Sequence, residues 1–282
     1  MAISSELEYR IFNIISFCSV VGSITVFMTG RWNSKLQQHP YRLISTIALI
    51  DAAYFLLFNT LDEVCELSLY KTFAATVYFT TDVSKQYRAL VIILRSSLAI
   101  FKCLFISSFI LNAFLCVDLY LTVKSPFTPA SSRTKFYYIV AFSLGSSISL
   151  YESIYYHDSV KEAAYAEEIT ILIAFLSFIA IAIPSTVFAS RRILRKGVSE
   201  SVRKAVVSRH IKYILILTLT FCMYAWKIIE EDILDREEPS WLDQLSVYAF
   251  ASQGLLLSIL RISEPVVWQT FKEGFCRVFC CR

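Results

Sequence analysis

Apolar residues along the chain gather into seven long runs separated by polar stretches. The runs cover approximately 9–29, 41–61, 89–123, 136–156, 169–190, 210–229 and 243–263. A helix of about 20 apolar residues crosses the roughly 30 Å hydrocarbon core of a bilayer. Lipid offers no partner to an unpaired N–H or C=O, so each run is predicted to be helical. The runs are too long for barrel strands and do not alternate. The third has a polar start and its lower part forms the hydrophobic core. The fourth is the weakest, with Ser143, Ser146, Ser147 and Ser149 around Gly145. Small residues of that kind suit close packing between helices. The apolar part of 62–88 is too short to span, so that stretch is expected to be an outer loop or an interfacial segment. The first run lacks a small-residue cleavage site after a basic start, and it is expected to be a retained helix. No internal repeat is visible.

Composition agrees with this pattern. The 282 residues are 56% hydrophobic and 18% charged, and their mean hydropathy is +0.56. Soluble domains carry about 25% charged residues and are less apolar. The expected fold class is therefore an all-α membrane protein, a seven-transmembrane helix bundle over 1–263. Residues 264–282 would form an amphipathic cytoplasmic eighth helix and the C-terminus. A disulfide scaffold is not expected, because Cys65 alone would lie outside the membrane core and the cytoplasm.

Charge then orients the bundle. If odd-numbered spans run inward, the inner loops hold Arg31, Lys35, Arg42, Lys124, Arg133, Lys135, Arg191, Arg192, Arg195, Lys196, Arg203, Lys204, Arg209, Lys212, Arg261, Lys272, Arg277 and Arg282. That is 18 of the 27 basic residues. Acids crowd the other side, in DEVCE (62–66) and EEDILDREE (230–238). The positive-inside rule then places the N-terminus outside and the C-terminus in the cytoplasm. An integral multi-pass protein, of the plasma membrane, is the expectation.

The tail WQTFKEGFCRVFCCR (268–282) follows Glu264-Pro265, and Pro265 is expected to end or kink the seventh helix. Val267, Trp268, Phe271, Phe275, Val278 and Phe279 recur at spacings of three and four, with Lys272, Arg277 and Arg282 among them. The pattern predicts a helix lying in the inner interface, its cations near anionic headgroups. Cys276, Cys280 and Cys281 would sit at the depth where thiols are acylated, which makes them palmitoylation candidates. The alternative is that they are small hydrophobes at a membrane surface. CRVFCC lacks a second pair or a nearby histidine, so no metal site is expected.

Ionisable residues inside the spans are costly and mark candidate sites. Arg88, Arg95 and Lys102 repeat every seven residues and share one face of the third helix. Arg95 and Lys102, with Lys227, suggest an electropositive outer cavity for an anionic ligand, and Glu152 and Glu230 are plausible partners for them. The alternative is structural pairing or snorkelling of the same side chains. The acidic outer rim at 230–238 argues equally for a cationic ligand. Asp51 lies mid-membrane and needs a polar partner, for instance Asn112, Ser252 or Gln253; a cation site is a further reading. Pro184 in the fifth span frees a carbonyl and is a hinge candidate, as is Pro265 at the tail junction.

Three patches carry a resemblance. CVDLYLTVKSPF (116–127) resembles the inner end of the third helix of a G-protein-coupled receptor, including its loop proline, here Pro126. RKGVSESVRKAVVSRHIKY (195–213) resembles the third inner loop of cyclic-AMP-receptor-like proteins. YAFASQGLLLSILRISEPVVWQTF (248–271) resembles that family's seventh helix and junction, with Glu264, Pro265 and Trp268 in its Pro-x-x-Trp pattern. The chain departs from rhodopsin-type receptors, having Asp118-Leu119-Tyr120 in place of Asp-Arg-Tyr, no Asn-Pro-x-x-Tyr and no proline in the sixth helix. The seventh span has no lysine to hold retinal.

The resemblance implies a signalling receptor that senses an extracellular ligand and couples through its basic inner loops to a heterotrimeric G-protein. Asp118, Tyr120, Lys124 and Arg209 would border the coupling cavity, opened by outward movement of the sixth helix. Ser199, Ser201 and Ser208 are better placed for phosphorylation than the tail, which offers little beyond Thr270. The competing reading is a non-signalling seven-helix scaffold or structural subunit. A transporter is disfavoured by the lack of an inverted repeat. An enzyme is not expected: His39, His157 and His210 fall in three different loops, and no phosphate loop or carboxylate pair appears. The partners expected are the bilayer, an extracellular ligand and a G-protein, with no nucleic acid and no cofactor.

Overall fold

The computed structural model describes residues 2–32, 41–66, 85–124, 130–155, 160–195, 200–230 and 240–279. These form eight helices: α1 (Ala2–Trp32), α2 (Tyr41–Glu66), α3 (Lys85–Lys124), α4 (Ala130–Tyr155), α5 (Val160–Arg195), α6 (Glu200–Ile228), α7 (Ser240–Ile262) and α8 (Pro265–Phe279). No strand occurs among the described residues. Among the described residues five stretches are long and apolar enough to cross a membrane: Arg10–Trp32, Ala99–Thr122, Ile169–Arg192, Ile211–Ile228 and Gln244–Ile262. They lie in α1, α3, α5, α6 and α7. The second and fourth expected spans are helices of 26 residues each but are not among the five. Of the 62–88 stretch, the ends continue α2 and begin α3, and 67–84 lie outside the described residues.

Many large apolar side chains face outward from the bundle, which is the physical case for lipid around it. In α1, Phe17 is 64% exposed along with Ile14, Val21 and Ile24, while Ser16, Ser19 and Ser23 are fully buried. Water would penalise that arrangement; a bilayer favours it, because helices there associate through small polar residues. Hydroxyls near lipid turn back on their own helix. Thr25 donates to the Val21 carbonyl at 2.8 Å, Thr60 to Leu56 at 2.8 Å and Ser190 to Thr186 at 2.8 Å.

The helices pack in a closed ring. α1 meets α2 and α7, α2 meets α3, α5 meets α6, and α6 meets α7, while α3 packs against α2, α4 and α5. α4 leans almost wholly on α3. Serines close the α1–α7 seam: the Ser19 hydroxyl donates to the Ala251 carbonyl at 2.6 Å and accepts from the Leu255 N–H at 3.0 Å. That donor and acceptor are one helical turn apart in α7, so a side chain of α1 enters the α7 ladder.

Gly145 explains how α4 reaches α3. A Cβ there would lie 2.5 Å from Ser107 Oγ and 2.8 Å from the Cys103 carbonyl oxygen. Ser107 in turn donates to the Ala141 carbonyl at 3.2 Å and Ser149 to Ala99 at 2.5 Å. The backbone oxygen cannot give way, so Gly145→Val is expected to cost about 1–3 kcal/mol through helix separation. Equilibrium unfolding in mixed detergent measures this, and an unchanged midpoint would show that α4 docks elsewhere.

At the C-terminal end α7 stops at Ile262 and the chain turns at Ser263 and Glu264. Pro265 does not kink α7; it opens α8, where its missing N–H is no loss. The Trp268 N–H donates to the Glu264 carbonyl at 2.8 Å. The apolar stripe expected of α8 is divided, with Val267 buried against the bundle and Trp268 exposed. Trp268 stacks on Phe271 at 5.8 Å, and Lys272 lies 5.1 Å from the Trp268 ring centre. Cys276 is in α8 but its side chain lies outside the described residues, as do Cys280 and Cys281 entirely.

Candidate functional site

The bundle interior contains a polar network that joins four helices. Asp51 of α2 is 3% exposed and Arg261, in the last turn of α7, is 1% exposed. Arg261 Nη1 lies 3.4 Å from Asp51 Oδ2. Its Nε donates to the Tyr213 hydroxyl of α6, whose ring centre is 5.3 Å from the guanidinium. On the other side of Asp51, the Ser108 hydroxyl of α3 donates to Oδ1 at 2.5 Å. Asn112 Nδ2 then donates to the Ser108 carbonyl at 2.9 Å.

Local sequence puts each group there. Gly254, Leu257, Ser258 and Arg261 share the buried face of α7, and Tyr213, Leu217 and Phe221 share that of α6. Arg261 also sits at the negative end of its helix dipole, which favours a cation. A carboxylate in this setting is tolerable only because a guanidinium and a hydroxyl reach it. The network is not saturated: Arg261 Nη2, Asn112 Oδ1 and Gln253 Oε1 are buried without a hydrogen-bond partner.

Asp51 therefore finds its partners on the third and seventh helices, as expected, but they are Ser108 and Arg261. Asn112 acts one step removed, through Ser108. Ser252 donates instead to the Ala249 carbonyl at 2.8 Å. Arg261 is the residue that sequence reasoning misplaced, among the cytoplasmic cations. Its position at the foot of a span is compatible with either direction; the long side chain turns into the bundle because Asp51 and Tyr213 await it there. The signal available was its spacing of seven and three residues from Gly254 and Ser258.

The expected outer site is only partly within the described residues. Lys102 is buried in α3 at 9% exposure, and Lys227 is half-buried in the last turn of α6. Each has an interaction partner. Glu230, just past the end of α6, accepts from Trp226 Nε1 at 3.2 Å. The side chains of Arg88, Arg95 and Glu152 lie outside the described residues. Beside Phe101 and through the level of Phe109, the interior is filled by rings. Phe105 meets Phe109 at 5.0 Å, Phe221 at 6.0 Å and Phe250 at 5.8 Å, and Tyr54 stacks on Phe101 at 5.0 Å.

At the C-terminal end of α3, Asp118 is buried and tied to α4. Arg133 Nε lies 3.2 Å from Oδ1, the Tyr137 hydroxyl donates to the same oxygen at 3.1 Å, and the Thr122 hydroxyl donates to Oδ2 at 3.3 Å. Lys124 is exposed, with its ammonium 5.8 Å from the Tyr120 ring centre, and Tyr120 is half-buried. The Arg209 side chain lies outside the described residues. Pro184 lies inside α5, which continues past it to Arg195.

Among the described residues no group of histidine, cysteine, aspartate and glutamate side chains could hold a metal ion. No protein-family model matches the chain, and no curated protein matches it.

Proposed function

We propose that the chain is a seven-transmembrane receptor of the G-protein-coupled kind, with α1–α7 crossing the bilayer and α8 lying on its inner face. The observation that carries this reading is the Asp51–Ser108–Arg261–Tyr213 network. A scaffold needs only packing between neighbours. A carboxylate and a guanidinium buried at the meeting of α2, α3, α6 and α7 are costly to maintain, and costly intramembrane charges are associated with function. The resemblance of three sequence patches to cyclic-AMP-receptor-like proteins supports the same reading. α2 and α4, at 26 residues and about 39 Å, are long enough to cross alongside the five more apolar helices.

In this reading the N-terminus is outside, in the plasma membrane, and the basic inner ends of α5 and α6 face a G-protein. Arg191 and Arg192 are exposed there. An extracellular ligand would shift the bundle towards a state open on the inner side, and must bind that state more tightly to do so. Lys102 and Lys227 mark the outer end at which it would act. Acylation of Cys276, Cys280 or Cys281 would add about 0.8 kcal/mol of anchoring per buried CH₂.

The test is nucleotide exchange on purified G-proteins by the reconstituted chain, with and without Arg209→Glu. Exchange lowered at least tenfold by the charge reversal is the expected result. Absence of exchange with every class of G-protein would leave the scaffold reading in possession. That second reading draws on one observation of its own: aromatic rings fill the interior between α2, α3, α5, α6 and α7, where a small ligand would otherwise lodge.

A further inference from the structure

We infer that the chain binds a lipid headgroup bearing a phosphate monoester, of the phosphorylated-inositol kind, between Arg42 and Lys135 at the end of the bundle where α2 and α4 begin. Assigning that lipid to the inner leaflet rests on the orientation proposed above; the site itself rests only on the chain lying in a membrane.

A side-chain bridge joins the two helices. The Tyr138 hydroxyl of α4 donates to Thr46 Oγ1 of α2 at 2.9 Å, and the Thr46 hydroxyl donates to the Arg42 carbonyl at 3.0 Å. Thr46 lies in the second turn of α2 and Tyr138 in the third of α4, so both helices start at the same end of the bundle. One turn nearer those starts stand Arg42 and Lys135, both exposed. Helical side chains lean towards the N-terminus of their own helix, so both cations are directed past the helix starts. Arginine and lysine reach about as far as tyrosine. A tyrosine and a threonine close the gap between α2 and α4, so the two cations with a phosphate between them span it as well.

The chain supplies no counter-charge here. No acid occurs between Glu8 and Asp51, or between Asp118 and Glu152. Neither α2 nor α4 has an acid in its first turn, where the positive end of the helix dipole favours one. Asp118 is committed to Arg133 at 3.2 Å. Among the described residues Arg42 and Lys135 have no carboxylate partner. Arg31 of α1, next to the close approach of Gly30 to Ser45, already has a partner and is not part of the site. Charge complementarity then selects the headgroup. Two cations and two helix starts, each worth about half a charge, present roughly three positive charges. A serine headgroup meets about one of them. A phosphate monoester carries about −1.5 to −2 at neutral pH, and beside the lipid's own phosphodiester it meets nearly all.

The test titrates the purified full chain, in neutral detergent, with dioctanoyl phosphatidylinositol monophosphate, dioctanoyl phosphatidylserine and the free inositol bisphosphate headgroup. Native mass spectrometry reads the bound fractions. The inositol lipid is expected to bind about tenfold more tightly than the serine lipid. Arg42→Gln and Lys135→Gln are each expected to weaken it about fivefold, and together about 25-fold. Removing two exposed cations from α5 and α6 instead, by Arg192→Gln with Lys212→Gln, is expected to change it less than about twofold. Tyr138→Phe keeps every charge and removes the bridge, and is expected to weaken binding several-fold. Serine lipid bound as tightly as inositol lipid, or the α5–α6 pair losing as much as Arg42→Gln with Lys135→Gln, overturns the site. Free headgroup bound as tightly as the lipid assigns the cations to a soluble phosphate and overturns the lipid. Full binding by Tyr138→Phe overturns the geometry. Should the double variant fail to fold, the two single variants decide, and no loss in either overturns the site. Specific binding without stimulation of G-protein exchange counts against the receptor reading and leaves the lipid site standing.

Discussion

Replacing Arg261 with methionine is expected to destabilise the folded bundle by about 3–5 kcal/mol, because it strands a buried carboxylate. Asp51 would keep only the Ser108 hydroxyl in a site that is 3% exposed. Adding Asp51→Asn to the same chain is expected to return most of the loss, since the remaining groups are neutral and similar in size. The coupling energy between the two positions, measured by equilibrium unfolding in mixed detergent, isolates the pair. Arg261→Met costing under about 1 kcal/mol would mean that the guanidinium does not hold Asp51 in the bilayer. A double variant as unstable as the single would assign the loss to packing of the arginine stem.

The second large effect belongs to the aromatic core. Phe221 of α6 is 1% exposed and meets Phe109 at 4.4 Å, Phe250 at 5.9 Å and Phe175 at 6.0 Å. Phe221→Ala is expected to cost about 3 kcal/mol, the low end of the range for phenylalanine deletions in soluble cores. The lower end applies because a chain unfolded within lipid still surrounds the ring with apolar matter, so the loss is mainly of packing. Phe17 of α1 is an internal control: it is 64% exposed to the surroundings of the bundle, and Phe17→Ala is expected to change stability by under about 0.5 kcal/mol. The same unfolding assay reads both. Equal losses at the two positions would place α1's exposed face against protein rather than lipid.

Much of the architecture was legible because lipid makes few demands and makes them plainly. Among the described residues each of the seven apolar runs coincides with a helix to within a residue at its end, and the larger differences arise where polar residues lengthen the helix, as at Val160–Arg195 around 169–190. Gly145 and the α4 serines announced close packing, which the Cys103 carbonyl and Ser107 contacts supply. The site was legible only in part. Asp51 stood out because a carboxylate among apolar residues has few explanations. Ser108 did not, since serines are scattered through six of the seven runs and Ser108 is the one that bonds Asp51. Arg261 was hidden by its address at a helix end, where an arginine ordinarily points to headgroups. Asp118 likewise read as a cavity residue, and its pairing with Arg133 and Tyr137 depends on how closely α4 docks on α3.

By itself, then, the sequence determined that this protein is helical and built for lipid, because the length and polarity of a membrane helix are local properties. Which charges meet inside it was decided only by the tertiary structure. Asp51, Ser108, Tyr213 and Arg261 are separated by up to 210 positions along the chain. Their encounter follows from the rotation and depth at which α2, α3, α6 and α7 pack, and no local pattern encodes those.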